Sequence, residues 1–395
     1  MVELSEEQKA IIRMADSFAE KEIAPFIGDW ERDGIFSREV WDRMVGLGLG
    51  GIMVPEEYGG AGLDHLTYVL TIEALCRKAK GLWPLMLAVH WGVQGVLLDY
   101  GNEEQKQKFL VPLATGRKIG GFAMTEPNVG SDAAAIESTA ELQGNDYVLN
   151  GTKRFITYAG EAEIYLVMAR TDKSIKGARG ISSLIVEKGA PGFSFGRMED
   201  KMGFMYSHTA DLEFENCRIP KENRIGAEGR GLYNALDANE RIRLGVAAGA
   251  TGIAQAALDE AVEYSKQRVA FDAPIATFQG LQFMMADMDT LIEAARQLTY
   301  NGARMRDQGI PAGRAVSMAK LFATETAMKV TTDAVQIFGG YGYTKDYPVE
   351  RLMREAKVTQ LLEGTSQIQL IVIARELLGR EMVSIRAQDI ELKDV

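Results

Sequence analysis

The sequence has little cysteine, little histidine and no long apolar segment. Its 395 residues include two cysteines, Cys76 and Cys217, and three histidines. Neither cysteine stands in a C-x-x-C spacing or in a metal-like pairing with a histidine, so we expect no disulfide framework, no metal site and a reducing compartment. No uninterrupted apolar run reaches the roughly 18 residues that a membrane-spanning helix needs, so no membrane span is expected.

The sequence also lacks an export signal and an excess of positive charge. It opens MVELSEEQ, without a basic segment followed by an apolar one, and this pattern predicts no secretory signal. We expect a cytoplasmic location, or the mitochondrial matrix if the sequence is that of a processed eukaryotic protein. The formal net charge of −11 argues against nucleic acid or an anionic membrane as the main partner. A few arginines would still suffice to bind one phosphate group.

The spacing of apolar residues along the sequence changes twice. It is helical over residues 1–118. The first helix starts with a capping box at Ser5-Glu6-Glu7-Gln8, because Ser5 and Gln8 can satisfy each other's backbone N–H groups. Pro25 is expected to end that helix. We therefore assign residues 1–118 to an N-terminal α-helical domain. Further helices are predicted at 37–47, 65–79, 83–99 and 103–113.

Residues 119–230 predict a β domain. Ser138–Leu142 and Tyr147–Leu149 read as strands on either side of the turn dipeptide Gly144-Asn145. A second turn is predicted at Asn150-Gly151, because type I′ turns favour this dipeptide at their two positive-φ positions. Several short strands separated by turns are typical of a small antiparallel barrel or sandwich.

Residues 231–395 return to helical spacing and predict a C-terminal domain. Gly339-Gly340 and Gly379 are expected to stop helices. Long helices with apolar stripes and short loops predict an antiparallel four-helix bundle. The fold class is therefore mainly α with a central β domain. One helix face carries small residues at spacings of three and four, namely Ala247, Ala250, Ala254, Ala257 and Ala261.

Four motifs follow one another along the chain: Phe122–Asp132, Arg268–Phe271 with Phe278-Gln279, Gln336–Gly342 and Leu362–Gln367. Their glycines let the main chain approach a ligand closely, and their loops expose N–H groups and hydroxyls. At these motifs the sequence resembles the acyl-CoA dehydrogenase family, over essentially the whole chain. The resemblance implies an FAD-dependent enzyme with an N-terminal helical domain, a middle β domain and a C-terminal helical bundle.

The resemblance also implies a set of FAD-binding residues from two regions of the chain. In the family, the residues around Arg268 and Gly339-Gly340 bind the FAD of a neighbouring subunit, so a homo-oligomer, usually a tetramer, is implied. Phe155 stands where the family often has Trp, and Asp272 stands where it usually has Gly. The implied FAD-binding residues are Phe122, Met124, Thr125, Ser131, Phe155, Thr157, Arg268, Phe271, Gln279, Gln336, Gly339, Gly340, Thr365 and Gln367.

The catalytic base of the family lies either in the loop of the last motif or on the helix near Arg243. At the helix position this chain has Ile242, which cannot act as a base, so the resemblance points to Glu363. Glu240 remains the alternative if the alignment is shifted by two residues. The residues implied to contact the substrate or to support the catalytic loop are Ser131, Ser207, Glu240, Arg243 and Gly364.

The implied reaction is the α,β-dehydrogenation of an acyl-CoA thioester to a 2-enoyl-CoA. Glu363 takes the α-proton, and flavin N5 accepts the β-hydride. The backbone N–H of Glu363 and a ribityl hydroxyl of FAD bind the thioester oxygen. The reduced flavin passes its electrons to an electron-transfer flavoprotein. Two alternatives stay open: a flavin oxidase or monooxygenase of the same fold that uses O₂, and a catalytically silent assembly subunit.

The acyl pocket is predicted to draw on residues 82–98. Trp83, Met86 and Trp91 would give an apolar lining that suits an uncharged acyl group, short, branched or cyclic. The same pattern is equally typical of helix core. No arginine stands near Trp83 to hold a second carboxylate, which disfavours a glutaryl-CoA substrate.

Overall fold

The computed structural model describes residues 4–379, 382 and 383. The outer ends of the predicted first and third domains, 1–3, 380–381 and 384–395, lie outside the described residues. Within the described residues no helix is long and apolar enough to cross a membrane. In the same residues no group of His, Cys, Asp or Glu is arranged to hold a metal ion.

The N-terminal domain is helical, as predicted. Ser5 and Gln8 form the capping box, each side chain accepting the other residue's N–H at 3.1 Å. The first helix continues as a π-turn to Ile23 and ends before Pro25. The four further predicted helices are confirmed to within a few residues. The helices are α1 (Glu6–Phe18), α2 (Ile27–Asp33), α3 (Arg38–Gly46), α4 (His65–Ala79), α5 (Met86–Tyr100), α6 (Glu103–Gln105) and α7 (Val111–Ala114).

The middle of the chain forms one eight-stranded sheet in the order β6-β7-β3-β2-β4-β5-β8, with β1 added on β4. The strands are β1 (Gly120–Ala123), β2 (Thr139–Gln143), β3 (Asp146–Thr157), β4 (Ile164–Arg170), β5 (Ile181–Glu187), β6 (Phe193–Met198), β7 (Thr209–Pro220) and β8 (Arg224–Ile225).

The predicted antiparallel arrangement needs one correction. β1 runs parallel to β4, and β2 meets β4 in parallel at Thr139 and Arg170. The β2–β3 hairpin lies between β1 and β4 in the chain, so the β1–β4 pairing is non-local. Strand alternation reports which face of a strand is buried and not which strand lies beside it.

The predicted turn at Asn150-Gly151 is wrong. β3 runs through both residues, and its register against β7 shifts between Leu149 and Gly151. Gly151 has φ +139°, and a Cβ there would lie 2.3 Å from Ser138 Oγ. The positive φ that the dipeptide signals is therefore used by a β-bulge, which bends the strand without ending it.

The C-terminal domain is again helical, with three long helices and two shorter ones. Gly339 and Gly379 follow α10 and α12 with φ +63° and +87°, so the predicted helix stops are confirmed. The predicted small-residue face of α8 is fully buried. The elements are α8 (Gly231–Gln267), β9 (Val269–Ala270), β10 (Ala273–Pro274), α9 (Gln279–Asp307), α10 (Gly313–Phe338), α11 (Val349–Thr359) and α12 (Ser366–Leu378).

Close packing of α8 joins the helical domains into one core. A Cβ on Gly245 of α8 would lie 2.1 Å from the hydroxyl of Tyr68 in α4, and a Cβ on Gly92 of α5 would lie 2.4 Å from Ile242 Cδ1. Only glycine permits helices to approach so closely. The mainly α fold with its central β domain is confirmed, while the boundaries after residues 118 and 230 stay predictions.

We predict that Gly151→Ala destabilises the protein by about 1–3 kcal/mol, because the methyl group meets Ser138 and alanine disfavours positive φ. Chemical denaturation monitored by circular dichroism measures the change. Gly46→Ala is the matched control: no atom lies within 4 Å of the added Cβ, and we expect a change within about 0.5 kcal/mol. Equal stabilities of the two variants would contradict the bulge as a constraint.

Candidate active site

Glu363 lies in a tight loop between the end of α11 and the start of α12. Glu363 and Gly364 both have left-handed backbone, with φ 53° and 94°. Thr365 caps α12, its hydroxyl accepting the N–H of Ile368 at 3.3 Å, and Gln367 is exposed in the first turn. A left-handed glutamate is uncommon and mildly strained, which is typical of functional positions.

Surrounding protein atoms desolvate the Glu363 carboxyl group, although the residue is partly accessible. Burial raises the pKa of Glu363 above its ordinary value, and the nearby cations Arg243 and Lys320 offset part of that rise. A carboxylate with a raised pKa is a stronger base than one in water, which suits general-base catalysis near neutral pH.

Two cationic side chains hold the two successive carbonyl groups that follow this carboxylate along the main chain. Arg243 Nε donates to the carbonyl of Glu363 at 3.1 Å. Lys320 Nζ and Gln369 Nε2 donate to the carbonyl of Gly364 at 2.9 and 2.8 Å. The N–H of Glu363 donates no hydrogen bond within the part of the chain that the structure describes, so it is available to a ligand oxygen.

In this chain the helix position that could hold a base is occupied by an apolar side chain. Ile242 is fully buried and packs on α5 beside Gly92. Glu240 Oε2 accepts a hydrogen bond from Arg306 Nη1 of α9 at 2.9 Å. The Glu240 carboxylate is therefore engaged by another helix, whereas the Glu363 carboxylate accepts no hydrogen bond from the described residues, so the contacts favour Glu363 over Glu240.

Sequence reasoning missed Lys320, although a signal was present. Lys320 lies on the buried face of α10, with Val316, Ala319 and Ala323 as neighbours at helical spacing, and none of the four is exposed. A lysine on an apolar helix face is rarely fully buried without a specific partner. That conflict between residue type and position could have identified it.

A buried ion pair positions the segment after β1. Glu126 Oε1 and Lys153 Nζ lie 2.6 Å apart with almost no exposure. The same carboxylate accepts the N–H groups of Glu137 and Ser138 at 2.6 and 3.0 Å, and Lys153 Nζ also donates to the carbonyl of Met124 at 3.2 Å. Neither charged residue was predicted from the sequence, since only the three-dimensional pairing distinguishes them from surface residues.

The implied FAD residues of the β domain form a first group. These contacts bring most of that group together at the edge of the sheet. Phe122 lies near the end of β1 and is buried, while Met124 and Thr125 are partly exposed. The Thr125 carbonyl accepts the N–H of Arg154 in β3 at 2.8 Å. Thr157, at the end of β3, is partly exposed, and Ser131 lies exposed in the loop.

Phe155 presents an open aromatic face. A second register shift in β3, between Lys153 and Ile156, leaves Phe155 with φ 58° and 56% exposed. The guanidinium of Arg154 stacks 4.8 Å from its ring centre. The bulge therefore turns an apolar ring outward, where a planar ligand can cover it.

The second group consists of the implied FAD residues of the C-terminal domain before the catalytic loop. Three of them, Arg268, Gly339 and Gly340, line a surface cavity of about 480 Å³ together with Tyr341 and others. The Arg268 guanidinium lies 5.5 Å from the Tyr341 ring centre. Gln279 and Gln336 lie exposed at the ends of α9 and α10. Within the described residues no hydrogen bond or ion pair joins this group to the first.

The turn between β9 and β10 carries Phe271, the phenylalanine of the second group. Phe271 and Asp272 are the two central residues, with φ 50° and 61°, the conformation of a type I′ turn. Asp272 tolerates positive φ better than most residues do, which explains how the turn forms without the glycine of the family pattern. Phe271 is 92% exposed, so the turn displays an apolar ring to its surroundings.

Ser207 is buried, and its hydroxyl has no hydrogen-bond partner within the described residues. Its carbonyl accepts Lys201 Nζ at 2.9 Å and Thr209 Oγ1 at 3.0 Å, which fixes the main chain. A buried hydroxyl without a partner costs free energy unless a ligand satisfies it.

Comparison with known protein families assigns each part of the chain. Residues 5–117 match the acyl-CoA dehydrogenase N-terminal domain, residues 121–217 the middle domain and residues 229–378 the C-terminal domain. The chain belongs to the acyl-CoA dehydrogenase family.

Individual relatives agree with this assignment. The short-chain-specific acyl-CoA dehydrogenase of Clostridium acetobutylicum is 46% identical over 95% of this chain and 98% of its own. The butyryl-CoA dehydrogenase structure from Megasphaera elsdenii has a TM-score of 0.93 and 44% identity, over 96% and 100% of the two chains. A chain in the structure described as the electron transferring flavoprotein of Acidaminococcus fermentans, on flavin-based electron bifurcation, gives 0.93 and 50% over the same shares.

This member of the family is an FAD-dependent enzyme. The residues present fit FAD on two observations. An aromatic face is open at Phe155, and the Arg268–Gly340 cavity offers a cation and glycine main chain. Aromatic faces suit a flavin ring, and a cation beside glycine main chain suits phosphate groups.

We predict that Lys153→Met destabilises the folded enzyme by about 3–5 kcal/mol, because it leaves the Glu126 carboxylate buried without its counter-charge. Urea denaturation measures the loss. Lys173→Met, which removes an exposed ion pair with Glu141, is the control and should cost less than about 1 kcal/mol. Similar values for both would show that the buried pair does not anchor the segment after β1.

Proposed function

We propose that the enzyme converts a short-chain acyl-CoA to its 2-enoyl-CoA, with Glu363 as the base that removes the α-proton. The observation that carries this proposal is the left-handed loop at Glu363, in which a partly desolvated carboxylate lies beside a backbone N–H that has no partner among the described residues. A base and an oxyanion donor on one residue are what the acidification of a thioester α-carbon requires.

The residues of this chain divide the work as follows. The Glu363 N–H hydrogen-bonds the thioester oxygen as negative charge develops there, and one such donor is worth about 3 kcal/mol in other enzymes. Glu363 Oε then accepts the α-proton. Arg243 and Lys320 keep the carboxylate and the N–H in place. Bound FAD supplies the acceptor for the β-hydride.

The packing of α8 on α4 and α5 supports a short acyl group. Ile242 and Tyr68 are fully buried, and the Glu363 charge acts on the Tyr68 hydroxyl. The bulky pair fills the region between the helices close to the base. Trp83 instead stacks on Phe36 at 6.0 Å, and Trp91 Nε1 donates to the carbonyl of Gly50 at 3.0 Å, so both favour the helix-core interpretation.

The exposed apolar residues of the C-terminal domain support a homo-oligomer, which we propose to be a tetramer. The second FAD group would then contact the FAD of a neighbouring subunit. The apolar helix α12 buries only Ser366 and Gln369 within one chain. A helix face of exposed apolar side chains marks a contact with another protein chain. The most exposed of these residues are Phe271, Phe283, Tyr343, Leu377, Leu378 and Met382.

We propose an electron-transfer flavoprotein as the electron acceptor and the cytoplasm as the location. The similarity to a chain of the Acidaminococcus fermentans electron transferring flavoprotein structure supports this acceptor. The partly exposed Thr157 and the open face of Phe155 give the flavin site an edge at the protein surface. Electrons can leave through such an edge without a passage through the core.

We predict that Glu363→Gln lowers kcat by roughly 10²–10⁴-fold, because the amide cannot accept a proton, while FAD stays bound. Anaerobic bleaching of the flavin by a panel of acyl-CoAs measures the rate and the preferred chain length. The control is Glu57→Gln at an exposed position of the N-terminal domain, which should react like the natural enzyme. Near-normal bleaching by Glu363→Gln would contradict the base assignment, and peroxide release in air would favour an oxidase.

We predict that Phe271→Asp weakens both assembly and FAD retention, because it places a charge on the apolar ring that we expect a neighbouring subunit to cover. Light scattering after gel filtration measures the mass in multiples of 43.4 kDa, and absorbance measures bound flavin. Phe26→Asp, at an exposed phenylalanine of the N-terminal domain, is the control. A natural protein of one-subunit mass that retains FAD would contradict the shared site.

A further inference from the structure

Lys320 is fully buried in α10, and its burial needs an explanation. Its ammonium group makes one hydrogen bond among the described residues, to the carbonyl of Gly364 at 2.9 Å. The cost of removing an ammonium from water exceeds what one bond to a neutral carbonyl returns. A methionine of similar length would pack in the same place at lower cost. Stability of the fold alone therefore does not account for Lys320.

The catalytic loop supplies the reason. Glu363 holds a left-handed conformation that an L-residue with a side chain adopts only under external constraint. Arg243 from α8 holds the Glu363 carbonyl, and Lys320 from α10 holds the next carbonyl together with Gln369 from α12. Three helices thus fix two successive peptide groups, and the N–H of Glu363 is left without a partner.

We infer that Lys320 is a positioning residue for catalysis: its ammonium group fixes the Gly364 carbonyl and thereby aims the Glu363 carboxylate and N–H at the substrate. This inference rests on the proposed role of Glu363 as the base. Lys320 itself touches no reacting atom in this scheme, so its effect passes through Glu363.

The charges around Lys320 give the inference a pH signature. Lys320 faces Arg243 of α8, Glu363 of the loop and Glu325 of its own helix, and Glu363 faces Arg243 and Lys320. Burial and the Arg243 charge lower the pKa of Lys320 to about 8. The Lys320 cation lowers the pKa of Glu363, so a neutral residue at 320 should move the acid side of the kcat/KM profile to higher pH.

The test compares Lys320→Met and Lys320→Arg with the natural enzyme, each loaded with FAD and assayed with butyryl-CoA from pH 5 to 10. We expect Lys320→Met to lower kcat by at least about tenfold through misplacement of the base, with KM changed little. The acidic limb of its kcat/KM profile should lie at higher pH. Lys320→Arg should restore the acid side, because the cation is retained, and recover part of kcat.

Two controls separate the possible results. Lys329→Met removes an exposed lysine of the same helix, paired with Asp287 and Asp333, and should leave kcat and the pH profile unchanged. Flavin content and melting temperature report whether each variant is folded. If Lys320→Met does not fold, Lys320→Arg decides: a displaced acid side in this charge-retaining variant would overturn the inference.

The outcomes for Lys320 and for Glu363 can be told apart. If Glu363→Gln loses activity while Lys320→Met keeps its kcat and acid side, only the inference on Lys320 is overturned. If Glu363→Gln stays active, the base assignment fails and the role of Lys320 fails with it. If Lys320→Met loses flavin but keeps its rate per bound flavin, Lys320 is structural, which also overturns the inference.

Discussion

The hydrogen bonds that hold the left-handed loop at Glu363 and Gly364 are the interaction on which the site depends. Arg243 and Lys320 reach that loop from two long helices that the chain visits more than 40 residues before it. The base role proposed for Glu363 requires a carboxylate that is partly desolvated and a backbone that is fixed. The helical domain provides both conditions, so the proposed chemistry depends on its packing.

Backbone strain and predicted function coincide at several positions of this molecule. Phe155, Phe271, Asp272 and Glu363 all have positive φ without being glycine, and each is, or directly follows, a position that the family resemblance links to flavin or substrate. Such conformations persist only where surrounding contacts enforce them. One β-bulge, one tight turn and one loop held by hydrogen bonds supply those contacts.

The two groups of implied FAD residues are separate within one chain, and this separation bears on how subunits assemble. The group around Phe155 and Thr125 is built on the sheet, whereas the group around Arg268 and Phe271 surrounds a separate surface cavity with no bond to the first within the described residues. The apolar residues that α12 leaves exposed lie in the same C-terminal domain. A shared flavin site and a subunit contact formed by this domain would cover both surfaces at once.

The sequence by itself determined the helix spans, the caps at Ser5 and Gly379, the three-part order and the family, because each rests on local spacing or on a motif that can be read in one segment. The tertiary structure alone decided the β1–β4 pairing, the bulge at Gly151 and the contact of buried Lys320 with the Gly364 carbonyl. Those features depend on contacts between segments far apart in the chain, and residue order carries no direct record of which distant segments meet.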